Sequence, residues 1–238
     1  MAEKEKESRG YNYLAAAAFA FVFVGIVSLI WPKALPFPFW SEWELKKPIF
    51  EAVWVSWPLF VWAVVINTLL VFTKYNGYKN PPHEIFIAGT LVSLWAGIVE
   101  EICFRWVIFL SAIVSVQIVD FLFLGFIGLH PVQWFYMAVL CPVANFFTLG
   151  MLAPYLSGQQ FGWAAAAAII SSNGHFRDGH AYQGIFGWVH AWFVGMYMFW
   201  LVFNYGLLAA IIVHCLFDFL VYLTITVDAE LERRFARS

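Results

Sequence analysis

Eight apolar runs, each near the length of a membrane-crossing helix, fill most of this 238-residue chain and leave it few folds to adopt. A spanning helix needs about 20 mostly apolar residues. The runs are 11–31, 50–72, 84–105, 106–129, 132–156, 161–181, 184–203 and 206–227. Hydrophobic residues make up 63% of the chain and charged ones 12%, with a mean hydropathy of +0.76. A soluble domain carries about 25% charged residues. A water-soluble fold of this size has no place for so much apolar surface, so the lipid bilayer is the partner that the composition requires. The expectation is an all-α fold, a polytopic transmembrane helical bundle of about eight spans.

Polar segments punctuate the runs. The loop 32–48 holds Pro32, Pro36, Pro38 and Pro48 with a charged patch from Glu42 to Lys47. Lys74 to Pro82 is a second break, His130-Pro131 a third, Ser157 to Gln160 a fourth, and Asn204-Tyr205-Gly206 a tight turn. No Pro or Gly cleanly divides 84–129. Trp31, Trp40, Trp43, Trp57, Trp134 and Trp163 sit near run ends, as in the aromatic belt of a bilayer interface. Cys103, Cys141 and Cys215 lie inside apolar runs with no CxxC or Cys/His cluster, which reads as inert thiols without a disulfide framework. A net charge of −2 offers no polyanion-binding surface and argues against nucleic acid.

The charged segment 1–10 runs directly into an apolar stretch with no small-residue cleavage site, the pattern of an uncleaved first span. Lys4, Lys6 and Arg9 at one end and Arg233, Arg234 and Arg237 at the other put both termini in the cytoplasm by the positive-inside tendency. Lys33, Lys46 and Lys47 in the first loop pull the other way. The chain reads as one integral, multi-pass unit: segment 1–10, N-terminal spans and loops over 11–83, a core over 84–227 and a charged tail over 228–238.

Ionisable groups inside such runs cost at least a few kcal/mol each at the bilayer centre, so each needs a partner or a task. The richest set is Glu100-Glu101-Ile102-Cys103-Phe104-Arg105. On an α-helix Glu101 and Arg105 lie four apart and face each other in the favourable acid-first order. Glu100 points about 100° away and addresses another wall of the bundle. A second set runs from Ser171 to His180 and includes His175, Arg177 and Asp178. A third is His214 and Asp218, four apart on one face of an otherwise lipid-grade segment. Each set has a bland reading as well: helix-pinning ion pairs for the first and third, a polar loop for the second. Together they offer carboxylates and imidazoles that can bind a water, take its proton and polarise a carbonyl.

Glu100-Glu101 to Arg105 matches an EExxxR motif, Phe176 to His180 an FxxxH motif followed by Tyr182-Gln183-Gly184, and His214 to Asp218 an HxxxD motif. In this order the motifs resemble those of the CAAX prenyl protease and bacteriocin-processing (CPBP, or Abi) family of intramembrane glutamic endopeptidases, over about residues 86–222. The resemblance implies hydrolysis of a peptide bond by glutamate-activated water, with a peptide or protein substrate, lipidated or not. Carried over, Glu100 is the general base and His180 helps to hold the water. His214 and Asp218 polarise the scissile carbonyl, and Glu101 and Arg105 support Glu100 from behind. A competing FxxxH ends at His190, but His180 leaves room for a full crossing before the third motif. Arg177 and Asp178 are unusually polar for that motif, and pairing with Glu100 or His214 would silence the site. Asp218 replaces the asparagine common in the family; it stabilises an oxyanion only when protonated and otherwise orients His214. Glu100, His180 and His214 are also a possible three-ligand metal set, yet no HExxH accompanies them, and neither metal nor cofactor is expected. The alternative function is a catalytically inactive relative acting as scaffold or accessory subunit of a membrane complex, for which 26 Phe and 13 Trp supply packing surface.

Overall fold

The computed structural model describes residues 15, 18–74 and 78–235. The charged segment 1–10, the start of the first apolar run, Tyr75 to Gly77 and the last three residues, Arg237 among them, lie outside the described residues. Every regular element among the described residues is helical, as expected. In chain order they are α1 (Ala18–Ile30), α2 (Ile49–Val55), α3 (Trp57–Lys74), α4 (Pro82–Glu100), a π-helical stretch (Glu101–Ile108) and α5 (Phe109–Leu122). There follow α6 (Pro131–Phe135), a second π-helical stretch (Tyr136–Leu140), α7 (Cys141–Phe147), α8 (Ala153–Leu156), α9 (Gly162–Gly179), α10 (Gly184–Tyr205) and α11 (Leu207–Phe235).

Local chemistry sets these boundaries. Pro82 opens α4 where a missing N–H costs nothing, and Glu84 in its first turn meets the positive end of the helix. Arg233 and Arg234 sit in the last turn of α11, where the carbonyl end favours cations. Between α10 and α11 the chain turns at Gly206, whose φ of +98° suits a residue without Cβ.

Among the described residues, three helical stretches are long and apolar enough to cross a bilayer: Pro82–Leu122, Ala181–Tyr205 and Leu207–Phe235. The pair Ile49–Val55 and Trp57–Leu69, bent by 48°, makes a fourth if taken as one span. The expected eight spans are not supported, and each shortfall has a cause. Runs 84–105 and 106–129 merge, because the π-helical stretch carries the backbone on without a break. Run 132–156 stops at Phe147, after which Leu149 and Gly150 adopt left-handed backbone, with φ of +52° and +74°. Run 161–181 does form a helix, α9, but its second half, Ser171 to Asp178, is too polar for it to count as a span, and Ala164 to Ala168, which go all round its first half, are only 0–9% exposed. The described part of run 11–31 is too short to span.

The chain forms two compact units. The first comprises Met1–Glu44 and Ile102–Trp200, the second Leu45–Glu101 and Leu201–Ser238. In the first, α9 packs along α5 and against α7, α8 and the second π-helical stretch, around Phe109, Ile113, Ile169 and Phe176. In the second, α11 is the axis on which α2, α3 and α4 pack. Asn67 donates from α3 to the Val221 carbonyl (3.3 Å), and Lys46 donates to the Val202 carbonyl (3.2 Å). The Tyr78 hydroxyl donates to Asp228 (2.7 Å), tying the loop before α4 to the end of α11.

Candidate functional site

The α4–α11 contact builds the site. Gly89, Ser93 and Gly97 recur every fourth residue on α4 and are all buried, the small-xxx-small spacing that lets helix backbones approach closely. A Cβ on Gly89 would lie 2.5 Å from the Tyr222 ring, and one on Gly97 would lie 2.5 Å from Cys215 Sγ and 2.9 Å from the Cys215 backbone nitrogen. One more step of four along the same face is Glu101. The stripe therefore delivers a carboxylate to α11 one residue before Cys215, at His214.

His214 is buried, its side chain 4% exposed, and three carboxylates surround it. Its Nδ1–H donates to Glu101 Oε1 at 2.7 Å, and the Glu101 side chain is fully buried. On the other side of the ring, Nε2 lies 3.9 Å from Glu100 Oε2 and 3.7 Å from Asp218 Oδ2. Both distances exceed a direct hydrogen bond. Glu100 and Asp218 keep 29% and 24% side-chain exposure, so this side is the more open one. The bond to Glu101 fixes the ring orientation and leaves Nε2 aimed between the two partly exposed acids. Glu100, Glu101, His214 and Asp218 thus come together within the second unit. The spacing argument placed Glu101 with Arg105 and did not anticipate its bond to His214.

Arg105 and His180 belong to the first unit. Arg105 is fully buried, with its guanidinium carbon 3.9 Å from the centre of the Phe176 ring and 5.6 Å from that of Phe199, a cation–π arrangement. Gly195 makes room for this cluster, since a Cβ there would collide with Asn173, Arg105 and Phe176. His180 caps the C-terminus of α9, and its Nδ1–H donates to the Phe176 carbonyl at 2.8 Å. The first and last residues of the FxxxH motif are thereby joined directly. His190 lies within α10, half-buried. The polar pair inside the motif is held locally: Asp178 Oδ1 accepts from Arg177 Nε and Trp188 Nε1, both at 2.9 Å. Burial works to raise the Asp178 pKa, but donation from Trp188 and Arg177 outweighs it and holds the carboxyl below its usual range.

Sequence reasoning passed over a second histidine–carboxylate pair. Asp120, 3% exposed at the end of α5, accepts from His130 Nδ1–H at 2.6 Å and from the Gln133 backbone N–H at 3.0 Å. Ten residues and a Pro separate the partners, so no helical spacing signals the pair. Among the described residues no three His, Cys, Asp or Glu side chains are arranged to hold a metal ion. Comparison with family models, curated proteins and solved structures finds no match to this chain.

Proposed function

We propose that this protein is an intramembrane endopeptidase of the CPBP type that hydrolyses a peptide bond with glutamate-activated water. The observation that carries the reading is His214, pinned by Glu101 at 2.7 Å and flanked on its open side by Glu100 at 3.9 Å and Asp218 at 3.7 Å. A water between Glu100 and the scissile carbonyl gives its proton to Glu100 while its oxygen bonds to the carbonyl carbon. The oxyanion that forms takes a hydrogen bond from Nε2–H of protonated His214, whose positive charge Glu101 supports. Glu100 then passes its proton to the leaving amine as the C–N bond breaks. Asp218, four residues along the same helix face, places its carboxyl 3.7 Å from Nε2 and favours the imidazolium. The motif resemblance adds His180 as a residue that holds the water and Arg105 as support for the acidic pair. The same reading has both termini cytoplasmic, which needs an even number of crossings; among the described residues, counting the bent pair as one span gives four.

Cleavage of a fluorogenic peptide library by the full chain in lipid nanodiscs tests the proposal. Glu100→Gln and His214→Ala, each shown to be folded, are expected to lose on the order of 10²–10⁴ in rate, the range for a general base or an oxyanion donor. Cleavage that survives both substitutions removes the peptidase reading. Absence of cleavage by the parent, together with a membrane protein co-purifying in fixed ratio, favours a scaffold.

A further inference from the structure

The first unit holds a cavity of about 620 Å³ that the peptidase reading does not use; small-molecule sites run to about 300–1,000 Å³. Its long wall is apolar, formed by Ile108, Ala112, Val116 and Val119 along the first π-helical stretch and α5. Its polar groups are Ser111, Ser115, Tyr136, Ser171, His175 and Asp178. The Tyr136 and Ser171 hydroxyls are joined at 2.8 Å, and Ser171 also donates to the Ala167 carbonyl at 3.0 Å. Asp178 is different. Its bonds from Arg177 Nε (2.9 Å), Arg177 Nη2 (2.8 Å) and Trp188 Nε1 (2.9 Å) all end on Oδ1. They brace the carboxylate without engaging Oδ2. Arg177 is itself stacked on Trp188 at 3.9 Å, which fixes the brace. Asp178 keeps 57% of its side chain exposed at the edge of the cavity, so Oδ2 is open to a ligand.

We propose that this cavity binds a single-chain amphiphile, with its apolar chain along α5 and a hydrogen-bond-donating headgroup, an amine or a hydroxyl, at Asp178 beside His175. A carboxylate only accepts hydrogen bonds, so it selects a donor. An anionic headgroup meets like charge at Asp178 and is excluded. The apolar wall selects the chain, because burying methylene groups there removes them from water at about 0.8 kcal/mol each. This proposal does not rest on the peptidase reading.

Diazirine-bearing dodecylamine, dodecanol and dodecanoic acid, photolysed with the full chain in nanodiscs and mapped by chymotryptic mass spectrometry, test the proposal. Amine and alcohol probes are expected to label the wall from Ile108 to Val119 and to be displaced by their unlabelled counterparts, while the acid does not label it. Stronger labelling by the amine identifies an ammonium headgroup; equal labelling identifies a neutral donor. Asp178→Asn should cut labelling by the amine at least about tenfold, the loss expected for a hydrogen bond to a charged group. Ala112→Phe, which fills the cavity from α5, should block every probe. A second filling variant, Val116→Trp, serves if the first fails to fold. Labelling spread evenly over lipid-facing helices and unchanged in Asp178→Asn and the filled variant overturns the proposal, as does labelling by the acid equal to that by the amine.

Discussion

Two histidine–carboxylate pairs of nearly equal length sit in very different surroundings in this protein. His214–Glu101 spans 2.7 Å and His130–Asp120 spans 2.6 Å. The difference lies in what surrounds them. The His130 side chain is 52% exposed, and Asp120 spends its second oxygen on the Gln133 N–H in the first turn of α6. That pair fastens a loop and supplies a helix with the capping acceptor that its own residues lack. His214 is 4% exposed, its partner wholly buried, and its free nitrogen faces two more acids. A bond length therefore says little about role. Burial and the environment of the unbonded nitrogen separate a fastening from the cluster proposed to be reactive.

The contrast can be broken most forcefully at Glu101. Glu101→Ala leaves His214 buried without its partner and should cost about 3–5 kcal/mol, as breaking buried pairs does, measured by denaturant unfolding in detergent. A loss under about 1 kcal/mol would place Glu101 with the exposed class. Gly97→Leu comes next. Its side chain meets both the sulfur and the backbone of Cys215, so about 1–3 kcal/mol should be lost, as on overpacking. Adding Cys215→Ala to that variant should recover only part, because the backbone clash stays. Asp120→Ala should cost about 1 kcal/mol through the lost cap, with faster hydrogen exchange at Gln133 and its neighbours. His130→Ala should fall within about 1 kcal/mol, since its partner keeps the Gln133 bond; a larger effect would erase the distinction between the pairs.

Much of this was readable in the residues. The helical class follows from the long apolar runs, and the 3.7 Å approach of His214 and Asp218 follows from a spacing of four on α11. The glycine–serine–glycine stripe on α4 was passed over, although its spacing is regular and ends at Glu101. The span count was not legible, because an apolar run does not say where its helix merges with the next, turns or gives way to polar residues. Ala164 to Ala168 look lipid-ready in sequence and are packed against protein. The π-helical backbone from Glu101 to Ile108 was hidden too, as its residues carry no Pro or Gly to announce it. There hydrogen bonds close i→i+5, so spacing rules based on i,i+4 lose their footing. The approach of Glu101 to His214 is 113 residues distant in sequence, and no local pattern encodes it.

The thiol seated opposite Gly97 carries a practical consequence for whoever assays the protein. Cys215 is only half-buried, and anything coupled to its sulfur would act as a wedge between α4 and α11, moving Glu100 and Glu101 off His214. A methanethiosulfonate reagent is therefore expected to stop the proposed peptide cleavage, and Cys215→Ala to confer resistance to it while leaving cleavage intact. An inhibitor profile taken alone would then suggest a cysteine enzyme, although in the proposed mechanism this sulfur takes no part.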